Sequence, residues 1–333
     1  MLQCPFAWGG PVSVGRMRVL PEHFRVIETL DVSFDAEGEF DWVYIEKTGL
    51  TTPEAADLLK GFSGARDISY SGLKDKHAVT RQWFSLHMLG AASADWSAFS
   101  DSRIKVLRSE RHRRKLRRGT HRYNHFELVL SGVTLAQLEQ RISTVAQRGV
   151  PNYFGEQRFG RHGENIEAAQ RWLLGGGKVS RFKRGLWLSV VRAQLFNAVL
   201  AGRVAAGNWN TALAGDLFAL GDGNSVFQDV LCEELAHRLE TGEIHPTGPL
   251  PGKVGRTAPV NAAADCENRL LEPYAPVVAA LVKRGVEAAR RPLRVIPKGL
   301  AAEPADEGVR LAFSLPRGCF ATALVRELID YSE

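Results

Sequence analysis

Val309, Leu311, Phe313 and Leu315 recur at strict two-residue spacing, alternating with Arg310, Ala312 and Ser314, near the C-terminal end of a 333-residue chain. Period-two alternation is the mark of a half-buried strand, and Pro316-Arg317-Gly318 breaks it. A strand of this length needs partners. The nearest sheet-like stretches lie in residues 1–150: Arg16–Leu20 and Phe24–Leu30 on either side of Pro21, Phe40–Ile45, the run through Phe84, Leu86 and Met88, and Asn124–Leu130. The last strand is therefore expected to return to an N-terminal sheet across an intervening segment.

That segment reads differently. From Pro151 onward, helical patterns dominate: Glu164–Leu174, stopped by Gly175-Gly176-Gly177, then Trp187–Ala205 with Leu188, Val191, Leu195, Phe196 and Val199 on one stripe. Residues 215–265 are rich in Gly, Asp and Pro, and Glu267–Arg290 reads as helix interrupted near Pro273 and Pro276. The N-terminal part also carries helices. Thr52-Pro53-Glu54 reads as a helix start, with Thr52 as N-cap and Pro53 at the first position. Leu135–Val145 reads as another helix. Strands and helices mix without a strict βαβ rhythm, so the class is α+β with a largely antiparallel sheet. The expected division is a domain of residues 1–150 plus 298–333, and an inserted, helix-rich domain of 151–297.

Composition narrows the function. With 44% hydrophobic and 24% charged residues, the chain resembles ordinary soluble globular proteins and can bury a sizeable core. Cys4, Cys232, Cys266 and Cys319 stand singly, without a CxxC pair, so neither a zinc site nor a redox motif is expected. They fit a reducing, cytoplasmic compartment. No signal-peptide pattern or uninterrupted apolar run of about 18 residues is read, so no membrane is expected. Without a coiled-coil pattern, a monomer is the default. The net charge is +6, and its distribution matters more than its sum. Between Arg103 and Arg122 lie Arg103, Lys105, Arg108, Arg111, Arg113, Arg114, Lys115, Arg117, Arg118 and Arg122, and only Glu110 opposes them within the run. A phosphate backbone is the natural counter-charge, which makes Arg114, Lys115 and Arg117 candidates for RNA contact. A solvated basic loop is the plainer alternative.

Several catalytic patterns are excluded. Gly175-Gly176-Gly177-Lys178-Val179 lacks the upstream glycine of a phosphate-binding loop, where Trp172 stands, and has Val179 in place of Ser/Thr. No GxSxG elbow and no dinucleotide fingerprint occur. His121 and His125 flank a strand pattern and have no clear third ligand, so no metal is expected. What remains is Ser71-Gly72-Leu73-Lys74-Asp75-Lys76-His77-Ala78, with one carboxylate between two ammonium groups before a strand. Delivered on a loop, Asp75 is placed for nucleophilic chemistry at carbon, and Lys74 and Lys76 can favour its ionised form. A surface salt-bridge cluster fits the same residues. Phe24, Tyr153, Phe154, Phe159 and Phe320 lie outside obvious core stripes and are candidate base-stacking platforms, although each type is more often core.

Gly72–Thr80, together with Asn152-Tyr153-Phe154-Gly155-Glu156-Gln157-Arg158-Phe159-Gly160, closely resembles the TruD family of tRNA pseudouridine synthases. Further stretches are similar in the same order: Pro21-Glu22-His23-Phe24, Lys115-Leu116-Arg117 with Asn124 and Phe126, Arg192–Asn197, and Leu315–Thr322. The resemblance implies a pseudouridine-synthase catalytic domain, a mixed sheet flanked by helices, interrupted by a TRUD insertion domain. It implies isomerisation of uridine to pseudouridine, typically at position 13 in the D-arm of tRNA, with no cofactor and no metal. Asp75 matches the family's nucleophile, and Phe24, Asn124 and Phe320 match residues that contact the target uridine. Lys74 or Lys76 can steady departing uracilate or bind RNA. His23, Tyr123 and Cys319 depart from the family pattern. A non-catalytic RNA-binding or RNA-folding module of the same shape is the alternative, and would be indifferent to the loss of Asp75.

Overall fold

The computed structural model describes residues 4–160, 163–221, 223, 225–255 and 257–332. In chain order its elements are β1 (Ser13–Met17), β2 (Phe24–Thr29), β3 (Phe40–Lys47), α1 (Thr52–Ser63), β4 (Asp67–Tyr70), β5 (Val79–His87), β6 (Ile104–His112), β7 (Tyr123–Ser131) and α2 (Leu135–Arg148). There follow β8 (Val150–Pro151), α3 (Glu164–Gly175), α4 (Arg181–Ala205), β9 (Leu217–Leu220), β10 (Val226–Gln228), α5 (Glu233–Glu240) and β11 (Ile244–Leu250). The chain closes with α6 (Asn261–Leu271), α7 (Ala275–Lys283), β12 (Ala289–Pro292), β13 (Arg294–Val295), β14 (Lys298–Ala305), β15 (Gly308–Pro316), α8 (Ala321–Leu328) and β16 (Ile329–Ser332).

Contacts divide the chain into two compact units: Ser13–Ile142 with Pro297–Gly318 and Asp330–Glu333, and Met1–Val12 with Ser143–Ile296 and Cys319–Ile329. Relative to the division expected from sequence, the N-terminal lead-in and α8 group with the middle segment. We call the two the sheet unit and the helical unit.

The sheet unit is built on a ten-stranded sheet with the central order β14-β15-β7-β2-β5-β3-β6. β15 pairs antiparallel with β7 along its whole length, from Gly308↔Ser131 to Pro316↔Tyr123. The alternation at 309–315 thus finds its partner in the alternation at 124–130. β2 and β5 run parallel, in register Arg25↔Val79. On one face α1 lays Ala55, Ala56 and Leu59 against Val43, Ile45, Phe84 and Leu86. On another, Trp42, Trp83 and Leu116 form a second cluster with Phe34 and Phe40. The helix starts one residue earlier than its sequence suggested. Thr51 is the N-cap, accepting from the Glu54 amide while the Glu54 side chain accepts from the Thr51 amide, a reciprocal capping box. Thr52 is freed for another use, described below. Gly64 ends the helix at φ 67°, a left-handed conformation that suits glycine.

In the helical unit, α4 is the central element, with Val190, Val191, Ala193, Leu195, Phe196, Val199 and Leu200 buried. By length and composition it could cross a bilayer, contrary to the expectation from sequence, but half of its most apolar stretch is buried in the fold. α3 and α7 pack on its first half through Trp172, Leu173, Val277 and Leu281. A four-stranded sheet of order β10-β9-β11-β12 completes the unit. The helix expected through Arg290 stops at Lys283, because Gly285 takes φ 69° and Ala289–Pro292 pairs with β11 as a strand.

Candidate active site

Asp75 stands on the loop joining β4 to β5, two antiparallel neighbours in register Tyr70↔Phe84. Side chains from the surrounding elements fix its backbone. The Lys74 amide donates to Thr52 Oγ1 at 2.9 Å, and that hydroxyl donates to Gln82 Oε1 at 2.9 Å. Gln82 Nε2 in turn donates to the Gly72 carbonyl at 3.3 Å. Lys47 Nζ donates to the carbonyls of Asp75 at 2.9 Å and Leu50 at 2.6 Å. The Gly49 amide donates to the Lys76 carbonyl at 3.1 Å. A loop held at residues 72, 74, 75 and 76 presents its carboxylate in a defined place, which is what a reacting group needs. The Asp75 side chain remains 34% exposed.

The cations around Asp75 are not those the sequence suggested. Lys74 turns inward and pairs with Glu28 at 2.7 Å, with both side chains nearly inaccessible. Lys76 reaches Glu54 at 3.6 Å. Arg18 is the cation beside Asp75, with Nη2 3.5 Å from Oδ2. It follows β1 in the left-handed region, φ 62°, an uncommon conformation for arginine. Its guanidinium lies 4.0 Å from the centroid of the Phe24 ring, a cation–π stack. Phe24, 1% exposed and edge-on to Phe126, is therefore the floor beneath Arg18. Lys47 is fully buried, and burial pushes its ammonium down to about 8 against the opposing pull of Asp75.

Beneath the loop lies a buried polar cluster. His121 Nδ1 is 2.6 Å from Ser71 Oγ and 3.7 Å from Glu28 Oε2, and Asn124 Nδ2 is 3.4 Å from His121 Nε2. Burial first, then the charges of Lys74 and Arg317, push the imidazole down to about 4. The ring is neutral at pH 7. With Asn124 donating to Nε2, the proton sits on Nδ1 and faces Ser71. Asn124 Oδ1 is buried with no hydrogen-bond partner among the described residues. An unsatisfied buried acceptor costs about 1–3 kcal/mol, so it is a place where an arriving N–H would be welcomed.

The neutral His121 carries a pH consequence. Its folded value, about 4, lies below its unfolded value of about 6.5, so between these the unfolded chain binds the extra proton. Its stabilising contribution is complete above pH 6.5 and is lost as pH falls through 4, by about 3 kcal/mol. In thermal melts from pH 7 to 4.5, wild type is expected to lose more stability than His121→Gln. Parallel losses would show that His121 does not titrate in this way.

Phe320 belongs to the helical unit, at the N-cap of α8. Its ring meets Phe154 at 6.0 Å, inclined at 61°. A side chain on Gly155 would come within 2.9 Å of Thr322 Oγ1 and 3.1 Å of Phe320 Cδ1, which explains glycine there. The preceding residues are clamped: Asn197 exchanges two hydrogen bonds with the Phe154 backbone, and Arg291 donates to Asn152 Oδ1 at 2.6 Å while lying 4.1 Å over the Phe154 ring. Of the proposed stacking platforms, Tyr153 and Phe159 are core residues, 3% and 5% exposed. Among the departures, His23 lies 3.8 Å from Glu307, and Tyr123 sits under the Lys298 ammonium.

Half of the cations in the basic run are compensated by carboxylates, two of them local and three brought in by the fold. Arg103 pairs with Asp101, Arg108 with Glu110, Arg111 with Asp41, Arg113 with Glu37 and Lys115 with Asp67. Among the described residues, Arg114 and Arg117 have no such pair. Both line a cleft of about 830 Å³ in the sheet unit, with Trp42 and His112.

The family model described as tRNA pseudouridine synthase D (TruD) matches residues 4–177 and 177–328. A protein of Pseudomonas putida named tRNA pseudouridine synthase D is 42% identical over 332 residues, covering 98% of this chain and 94% of its own. One of the same name from Aeromonas salmonicida is 41% identical over 335 residues, covering 99% and 95%. A solved structure of a TruD protein from Methanosarcina mazei superposes with a TM-score of 0.71 at 20% identity, covering 98% of this chain and 95% of that one, and so shares the fold.

Proposed function

The chain belongs to the TruD family of tRNA pseudouridine synthases, isomerases, and on that premise we propose that it converts uridine at position 13 in the D-arm of tRNA, with Asp75 as nucleophile. The observation that carries this reading is the Asp75 loop. Thr52, Gln82, Lys47 and Gly49 fix its backbone, yet the carboxylate stays open to solvent beside Arg18.

The reaction breaks the N1–C1′ and C5–H bonds and forms C5–C1′ and N1–H, with the proton lost from C5 matched by the one gained at N1. Nothing is oxidised or transferred, so atoms and electrons balance without a cofactor or a metal. The target base must first leave its stack, at a cost of a few kcal/mol. Asn124 Oδ1, an acceptor without a donor among the described residues, suits the uracil N3–H. Phe320 offers a ring for stacking. Arg18, stacked on Phe24, is the cation placed to balance charge as uracilate departs; Lys74 is engaged with Glu28. Attack of Asp75 at C1′, addition at C6 and proton abstraction at C2′ each use the same carboxylate. The residues 151–297 are proposed as the TRUD insertion. Mapping pseudouridine at nucleotide resolution after incubation with unmodified tRNA is expected to place it at position 13. Conversion confined to another position would overturn that assignment.

The ion pairing of the basic run sharpens the RNA contacts. Arg114→Ala and Arg117→Ala are each expected to weaken tRNA binding and to lower the salt dependence of affinity by about one power of salt concentration. Arg103→Ala, whose charge Asp101 already cancels, is expected to change neither. Equal effects at all three positions would make the pairing irrelevant. Lys115, paired with Asp67, is expected to contribute less than the sequence suggested.

A further inference from the structure

We propose that the turn and first helical residues at 178–185, in the helical unit, form a second RNA-docking patch, in which Lys178, Arg181 and Arg184 hold phosphates and Phe182 receives an unpaired base. This rests on tRNA being the substrate.

Lys178, Arg181, Phe182, Lys183 and Arg184 are all exposed, Phe182 at 71%. Ser180 caps α4 by accepting from the Lys183 amide at 3.2 Å. The first turn of α4 contains no acid. Helix dipoles favour acids at this end and disfavour cations, so three cations here work against the helix they begin. Unlike much of the basic run in the sheet unit, they are not cancelled. Among the described residues, no carboxylate lies within ion-pair distance of Lys178, Arg181, Lys183 or Arg184. A cluster that opposes its own helix and lacks internal counter-charges is complementary to an external polyanion.

The aromatic identifies the polyanion as nucleic acid. Arg181 and Arg184 are three residues apart, neighbours on one side of the helix. A side chain built on Gly185 would meet nothing within 4 Å, so the surface of this turn is open. The support is rigid. Lys183 Nζ lies 4.7 Å over the Trp187 ring, and Trp172 Nε1 holds the Gly177 carbonyl at 3.2 Å. Arg284 lies 4.1 Å over Trp172 and donates to the carbonyls of Trp172 and Leu173. Uncompensated cations and an exposed ring within one helical turn are elements of single-strand recognition.

The test uses the full chain and unmodified tRNA transcript. Equilibrium binding is measured across salt concentrations, and single-turnover conversion at saturating RNA. The double variant Arg181→Ala/Arg184→Ala removes two cations from a helix start without harming helix propensity, so its melting temperature is expected to hold or rise. It is expected to bind tRNA at least about tenfold more weakly at low salt and to lower the salt exponent by roughly 1.5. Its rate at saturating RNA is expected to match wild type. Phe182→Ala is expected to weaken binding about fivefold or more with the salt exponent unchanged, because it removes a stack and no charge. Wild-type affinity and salt exponent in either variant would overturn the proposal. If wild type converts tRNA while both variants bind normally, the patch falls and the isomerase assignment stands. If both variants bind weakly while wild type converts nothing at the D-arm, the assignment of position falls and the patch stands.

Discussion

Asp75→Asn is expected to bind unmodified tRNA like wild type, to melt at nearly the same temperature, and to form no pseudouridine. The separation of these three readouts follows from how the loop is held. Its restraints act on the backbone, at the carbonyls of Gly72, Asp75 and Lys76 and the amide of Lys74. None depends on the Asp75 carboxylate, which is 34% exposed and approaches Arg18 at 3.5 Å. The pair is half-buried but long and makes no tight hydrogen bond, so it contributes on the order of 1 kcal/mol to stability. The amide keeps the shape and removes the proposed nucleophile. Loss of a residue that forms the reacting bond lowers the single-turnover rate by about four orders of magnitude or more. Equal conversion by both proteins would displace Asp75 from its role. Loss of tRNA affinity in the variant would mean that the carboxylate acts in binding. Arg18→Ala at saturating RNA adds a graded comparison: it leaves the proposed nucleophile but removes the only cation within 4 Å of its carboxylate among the described residues, so a partial loss of rate is expected.

Strand positions were readable because alternation survives in the sequence. The stretches 124–130 and 309–315 carry the same period and lie side by side in the structure. Element ends were less readable, because a cap is decided by which of two adjacent hydroxyls meets the amide; Thr51 does so and Thr52 braces the active loop. The motif singles out Asp75 as a candidate. Its supporting charges were missed, though the pattern contained them. Val43, Ile45 and Lys47 fall on one face of β3, and Phe24, Val26 and Glu28 on one face of β2, all buried. A charge that continues an apolar face must be buried and therefore paired. Arg18 had no such signal: its position depends on a left-handed residue after β1. Three of the carboxylates that neutralise the basic run, Asp41, Glu37 and Asp67, are also distant in sequence and are brought to it by the folded chain.

Lys74→Met is expected to cost about 3–5 kcal/mol of stability at pH 8, since it strands the Glu28 carboxylate in the interior without its ammonium. The deficit is expected to shrink toward pH 5.5. Glu28 then has Trp83 N at 3.4 Å and His121 Nδ1 at 3.7 Å as its remaining neighbours. Lys74 is the leading charge that pushes His121 down. Without it, and facing a bare carboxylate, His121 becomes the site that gains a proton. A folded state that binds more protons than the unfolded one loses stability as pH rises, the reverse of the wild-type His121 contribution. Melts across pH 5.5–8 test this sign. In Lys74→Met/His121→Gln, the relief at low pH should vanish; if it persists, Glu28 itself takes the proton. Glu28→Gln/Lys74→Met should recover most of the loss at every pH, because removing both members of a buried pair costs far less than removing one. That double variant also decides what Lys74 does. As an RNA ligand, its loss would lower tRNA affinity and the salt exponent even in the restored fold. As an internal counter-ion, which its burial against Glu28 indicates, it would leave both unchanged.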